Sequence, residues 1–148
     1  MSDLLTAEAI RLEESAADRD AAIDRCGEVL VEIGAVEPGY VDAMRQRERS
    51  ISTYVGEGVA IPHGTANSKA LVRSDALAVL RFPSGVDWGG EEVSVCVAIA
   101  AAGDGHVALL AQLAEILLDP DAARALREAT DTDTMLQLLA PIRKDTVS

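Results

Sequence analysis

From Asp18 onward, apolar side chains recur at three- and four-residue intervals: Ala22, Ile23, Cys26, Val29, Leu30 and Ile33. That spacing predicts an amphipathic helix, stopped by Gly34. Glu37-Pro38 restarts a second helix in which Tyr40, Val41 and Met44 face inward and whose last turns, Arg45 to Arg49, are charged. Residues 1–17 admit two readings. The alternation in Ala9-Ile10-Arg11-Leu12-Glu13 suits an edge strand, whereas Leu4, Leu5 and Ala7 suit a short helix.

Ser50 to Gly58 is polar and predicts a loop. It leads into the apolar run Val59-Ala60-Ile61, a strand that must stop at Pro62, which has no N–H to pair. Thr65 to Ser74 predicts another loop. Ala76 to Phe82 reads as a strand ended by the turn Pro83-Ser84-Gly85, with Val86-Asp87-Trp88 as a short strand beyond it. Val93 to Ala100 is apolar on nearly every residue of its second half, the pattern of a strand covered on both faces. Leu109, Leu110, Leu113, Ile116 and Leu117 then form a broad helical stripe. Asp119-Pro120 breaks it, Asp121 to Ala129 makes another helix, and Thr132 is expected to cap a last one carrying Met135, Leu138 and Leu139. The polar tail after Pro141 is expected to fray. This order predicts a mixed α/β fold in three layers, a mixed central β-sheet flanked by α-helices. No internal repeat or low-complexity linker divides the 148 residues, so a single domain over 1–148 is expected.

Composition narrows the classes of function. Hydrophobic residues make up 49% of the chain, enough for a packed core. No apolar run reaches the ~20 residues of a membrane span, and the first residues lack a basic segment followed by an apolar one. Direct membrane insertion is not expected, and a cytoplasmic location follows as the default. The net charge of −12 disfavours nucleic acid and fits a protein partner with a basic docking face. Cys26 and Cys96 each lie inside an apolar segment and read as buried free thiols.

The candidate chemistry rests on two histidines, each following a predicted strand. His63 sits in Pro62-His63-Gly64, at the mouth of a predicted buried strand with its backbone fixed on both sides. His106 stands after a Gly103-Asp104-Gly105 turn, where a helix start would aim backbone N–H groups at an anion. The ends of neighbouring strands are where ligand groups converge. With the nearby arginines, the pattern points to phosphoryl chemistry. A neutral imidazole nitrogen attacks the phosphoryl group while the other ring nitrogen is held by an acceptor, and a second histidine and an arginine hold the equatorial oxygens. Other chemistries lack their motifs. No P-loop, complete G-x-G-x-x-G or G-x-S-x-G is present, and no H-x-x-x-H or C-x-x-C spacing supports a metal. No cofactor is expected.

These residues resemble a known family. Tyr54-Val55-Gly56-Glu57-Gly58-Val59-Ala60-Ile61-Pro62-His63-Gly64-Thr65 looks like the active-site segment of enzyme IIA proteins of the bacterial phosphoenolpyruvate:sugar phosphotransferase system, mannitol/fructose type. Tyr40 to Met44 with Arg47-Glu48, Phe82 to Gly89 and His106 to Ala114 extend the likeness over roughly residues 5 to 140. The resemblance implies a mixed sheet with flanking helices. It also implies that His63 accepts a phosphoryl group from phosphorylated HPr and passes it to a cysteine of a IIB domain or IIBC transporter. His106 falls on the second active-site histidine and Arg47 on the arginine that neutralises the phosphoryl charge. Ser50-Ile51-Ser52-Thr53 stands where the family often carries proline, so Arg45 and Arg49 remain alternatives to Arg47. Mannitol is favoured over fructose, and a nitrogen-type regulatory IIA that switches partners is the alternative. Trp88 and Met44 read as core, and Asp104 as an ordinary turn aspartate.

Overall fold

A computed structural model of the chain describes residues 4–101 and 105–140. Its centre is a five-stranded sheet of order β1-β4-β5-β3-β2: β1 (Ile10–Arg11), β2 (Tyr54–Gly56), β3 (Val59–Ala60), β4 (Ala76–Trp88) and β5 (Glu91–Ala100). The pairs β1/β4 and β3/β5 are parallel, and β4/β5 and β2/β3 are antiparallel. Both readings of the first residues hold in part, because a 3-10 turn at Ala7–Ala9 leads directly into edge strand β1.

The period-two alternation of strands sends side chains to two separate cores. Ala78, Leu80, Phe82, Cys96 and Ala98 pack with Ile23, Cys26, Leu30, Tyr40 and Met44 of helices α1 (Arg19–Glu32) and α2 (Tyr40–Ser50). Leu77, Val79, Val95, Val97 and Ile99 pack on the other face. There they meet Leu109, Leu113, Leu126 and Met135 of helices α3 (Gly105–Leu117), α4 (Pro120–Glu128) and α5 (Thr132–Leu138). The mixed, three-layer arrangement expected from the sequence is therefore the one observed. Among the described residues, no helix is long and apolar enough to cross a membrane.

Local chemistry sets the helix ends. The Asp18 side chain accepts from the Ala21 N–H at 2.9 Å to start α1, and the chain leaves α1 through Gly34 at φ 79°. Asp119 caps α4 with Pro120 behind it in the first turn, where proline's missing N–H is harmless. The cap of α5 is Asp131 and not Thr132: its carboxylate accepts from the Thr134 N–H at 2.8 Å. That bond, with a second from the Thr134 hydroxyl, lowers the pKa of the exposed Asp131.

The elements differ from expectation in three places. β4 does not end at Phe82. It runs on to Trp88, pairing Arg81 with Val95 and then Val86 with Val93, so Pro83-Ser84-Gly85 forms a bulge in a continuing strand. Proline is tolerated there because the bulged residues make no ladder pair. The Ser50–Gly58 loop contains β2, which turns into β3 through Glu57 and Gly58, both at positive φ (57° and 75°). Two residues at positive φ are what a tight hairpin needs, and Arg127 Nη1 donates to the Glu57 carbonyl at 2.6 Å, fastening the strained residue. The Thr65–Ser74 loop holds a 3-10 segment, Ala66–Leu71.

Candidate active site

His63 is reached by the chain immediately after β3. The Pro62 carbonyl accepts from the Ile99 N–H at 2.9 Å, and His63 bridges Ile99 in parallel fashion, so the sheet register extends through the proline to the histidine. The residue is buried, with 8% of its surface exposed. Its Nδ1 lies 2.8 Å from the Ile61 carbonyl oxygen. A carbonyl only accepts, so Nδ1 carries the proton and donates, and Nε2 keeps the lone pair.

The backbone on the far side of His63 is held by Tyr40. The Tyr40 hydroxyl donates to the Ile99 carbonyl and accepts from the Gly64 N–H, both at 2.9 Å. Burial raises the Tyr40 pKa above its ordinary value of 10, and the Gly64 bond opposes that shift. Residue 64 must be glycine, because a Cβ there would come within 2.5 Å of Tyr40 Cε1 and would strike the Ser68 hydroxyl as well.

A cavity of about 250 Å³ opens beside this turn, lined by Tyr40, Arg47, His63, Gly64, Thr65, Lys69, Ala101 and Leu110. Of the three alternative arginines, Arg47 is the one at the cavity, its Nη1 donating to the Ile51 carbonyl at 2.5 Å. Arg45 is engaged elsewhere, with Asp24 of α1 and Asp42, and those carboxylates raise its pKa. Arg49 is exposed at the end of α2. Helix α3 reaches the same cavity through Leu110. Position 106 is the second residue of α3, one turn before Leu110 on the same face of the helix, while the His106 side chain lies outside the described residues, as does Asp104.

Two residues at the site escaped the sequence reading. Lys69 adds a second cation to the cavity from the 3-10 segment that reads as loop. Glu48 reads as one member of a charged helix end, yet it is 96% buried, the complement of its 4% exposure. Its Oε2 accepts from the Thr53 N–H at 3.0 Å and from Trp88 Nε1–H at 2.9 Å, and its Oε1 accepts from the Thr53 hydroxyl. Trp88 and Met44 are core, as expected, with Trp88 carrying this added bond. Behind them lie Cys26 and Cys96, both fully buried free thiols in contact. Burial first, then Cys26 and Glu48, push the Cys96 pKa well up, which keeps that thiol protonated.

Comparison with known proteins gives a consistent result. The family model described as phosphoenolpyruvate-dependent sugar phosphotransferase system, EIIA 2, matches residues 3–141. The mannitol-specific phosphotransferase enzyme IIA component of Staphylococcus aureus is 36% identical over 138 residues, which cover 93% of this chain and 96% of that protein. A multiphosphoryl transfer protein of Xanthomonas campestris pv. campestris is 40% identical over 136 residues, covering 91% of this chain but only 16% of that much longer protein. Among solved structures, the IIA-mannitol protein of Escherichia coli, in its complex with phosphorylated IIB-mannitol, superposes with a TM-score of 0.86 at 37% identity. That match covers 93% of this chain and 99% of the other.

Proposed function

The chain belongs to the EIIA 2 family of the phosphoenolpyruvate-dependent sugar phosphotransferase system, and on that ground we propose that it is a phosphoryl carrier with His63 as its acceptor. It takes the group from phosphorylated HPr and passes it to a IIB domain or IIBC transporter that phosphorylates an incoming sugar or polyol. Mannitol is favoured over fructose, supported by the mannitol specificity named for the Staphylococcus aureus relative and the Escherichia coli structure. The cytoplasm is the compartment this relay requires.

The observation that carries the reading is the bond from His63 Nδ1–H to the Ile61 carbonyl at 2.8 Å. It leaves Nε2 as the nucleophile. The Nε2 lone pair attacks phosphorus, and the bond from phosphorus to the donor breaks with its electron pair leaving on HPr. Positive charge then develops on the ring, and the Nδ1–H bond to the carbonyl strengthens as it does so, an interaction gained in the transition state. Arg47 and Lys69, which line the same cavity, meet the negative charge on the equatorial oxygens. His106 completes the site from the start of α3. The reverse attack by a IIB cysteine thiolate on the phosphorus returns the electron pair to Nε2.

Incubation with phosphoenolpyruvate, enzyme I and HPr is expected to give an acid-labile, base-stable phosphate on the wild type and on His106→Ala, and none on His63→Ala. Full labelling of His63→Ala would overturn the assignment. Passage of the label to a IIB domain separates the transport role from a regulatory IIA, which would retain it.

A further inference from the structure

The backbone that orients the His63 ring is tied, through a continuous line of hydrogen bonds, to one buried carboxylate on another element. The Ile61 carbonyl receives the Nδ1 proton at 2.8 Å. The N–H of the same residue donates to the Thr53 carbonyl at 3.0 Å, and this is the bond that sets Ile61 in place after β3 ends. Thr53 is in turn gripped at its N–H and its hydroxyl by Glu48. The indole N–H of Trp88, at the end of β4, donates at 2.9 Å to Oε2, the same carboxylate oxygen that accepts from the Thr53 N–H.

Burying this carboxylate costs solvation that its hydrogen bonds must offset. A carboxylate taken out of water needs its oxygens satisfied, and Glu48 meets three donors, two of them from a single residue of an otherwise polar connection. Thr53 is 3% exposed although Ser52 and Ile51 beside it are exposed. The chain is drawn inward at one residue only, the one whose carbonyl holds Ile61. Arg47, immediately before Glu48 on α2, is presented to the cavity from the same helical turn, so one anchor serves both the nucleophile and the cation.

We propose that Glu48 is a positioning residue for phosphoryl transfer: through Thr53 it fixes the Ile61 carbonyl that sets the tautomer and orientation of the His63 ring. The proposal rests on His63 being the acceptor. Its effect is geometric, because the peptide units along the line are joined through Cα atoms and do not conduct charge.

The test compares Glu48→Ala with Glu48→Gln. The glutamine keeps the reach: its carbonyl oxygen accepts from the Thr53 and Trp88 N–H groups, and its amide donates to the Thr53 hydroxyl. Nitrogen-15 spectra of the imidazoles report the tautomer without any phosphoryl donor, and single-turnover transfer from phosphorylated HPr reports the rate. In Glu48→Ala the His63 ring is expected to show a mixture of tautomers, with the transfer rate down ~10- to 100-fold and half-saturation by HPr changed by less than ~2-fold. Glu48→Gln is expected to recover most of both. An anchor that held only the fold would lower the melting temperature and leave the folded molecules with the wild-type tautomer and rate, which overturns the proposal. A Glu48→Gln protein as impaired as Glu48→Ala also overturns it, by assigning the effect to charge. If Glu48→Ala does not fold, Thr53→Val, which removes only the hydroxyl bond, is expected to shift the tautomer and rate in the same direction by a smaller factor, and no change there overturns the proposal. Because the spectra need no donor, they decide the role of Glu48 even if labelling shows that His63 is not the acceptor.

Discussion

The side of the sheet covered by α1 and α2 buries the Glu48 carboxylate and the Tyr40 hydroxyl among its apolar side chains, whereas the side covered by α3, α4 and α5 is sealed by aliphatic carbon from Val59 and Ile61 to Leu126 and Met135. Besides the Tyr40 hydroxyl, the buried polar side chains among the described residues are Glu48, Thr53, His63 and Ser68, and none of them belongs to α3, α4 or α5. The difference separates two tasks. Aliphatic packing is non-directional and supplies stability in proportion to area. Hydrogen bonds fix angles, and the turn bearing His63 is held at Ile61 and at Gly64 by bonds that lead back to Glu48 and Tyr40 on α2.

Breaking the aliphatic side gives the largest effect on stability. Leu126 is fully buried, and Leu126→Ala is expected to cost about 2–5 kcal/mol in denaturant unfolding. Well below its melting point, the variant should accept a phosphoryl group at close to the wild-type rate. A large loss of rate with little loss of stability would erase the contrast between the two sides.

Tyr40→Phe probes the polar side. It removes the hydroxyl bonds to Ile99 and Gly64, and about 1–3 kcal/mol of stability should go with them. Phosphoryl acceptance should fall more steeply than in Leu126→Ala. A pH signature sharpens the assignment. The folded Tyr40 pKa is raised above 10, so in this range the unfolded phenol ionises while the folded one stays neutral. The corresponding stability is fully present below pH 10 and is lost as pH rises through the folded value. Unfolding curves of wild type and Tyr40→Phe from pH 9 upward, a range of about two units around the ordinary tyrosine value, should converge as the pH climbs.

Arg47→Ala sits at the small end of the stability scale. The side chain is partly exposed, and its removal should change unfolding by less than about 0.5 kcal/mol. Its effect should be on the phosphorylated state, because the added group brings roughly −1.5 to −2 charge to the cavity. Acceptance should slow or the phosphorylated protein should lose its group sooner. Equal rates and lifetimes would assign the charge-neutralising role to another cation of the site, with Lys69 the next to test.

Much of this was legible in the chain because the signals were local. The three- and four-residue spacing of α1 and α3, the unbroken apolar run of β5 and the Pro62-His63-Gly64 turn each carry their own physical cause. What escaped depends on partners distant in sequence. Glu48 sits in a run of arginines that describes a solvated helix end, and only the arrival of Thr53 and Trp88 makes it interior. β2 is only three residues long and follows a polar run, and it becomes a strand by pairing with β3 across a turn at positive φ. β4 continues past Pro83-Ser84-Gly85 because β5 offers partners on both sides of the bulge. The Asp131 cap was missed for a smaller reason. Asp and Thr are both good caps, and adjacency leaves only side-chain reach to decide between them.

Cys26 on α1 and Cys96 on β5, the paired thiols behind Trp88, also make the molecule its own clock. Both sulfurs are fully buried, so a thiol reagent meets them only when the structure opens, and the alkylation rate counts those openings. Followed before and after incubation with phosphorylated HPr, that count would show whether events at one end of the sheet change the opening of its interior.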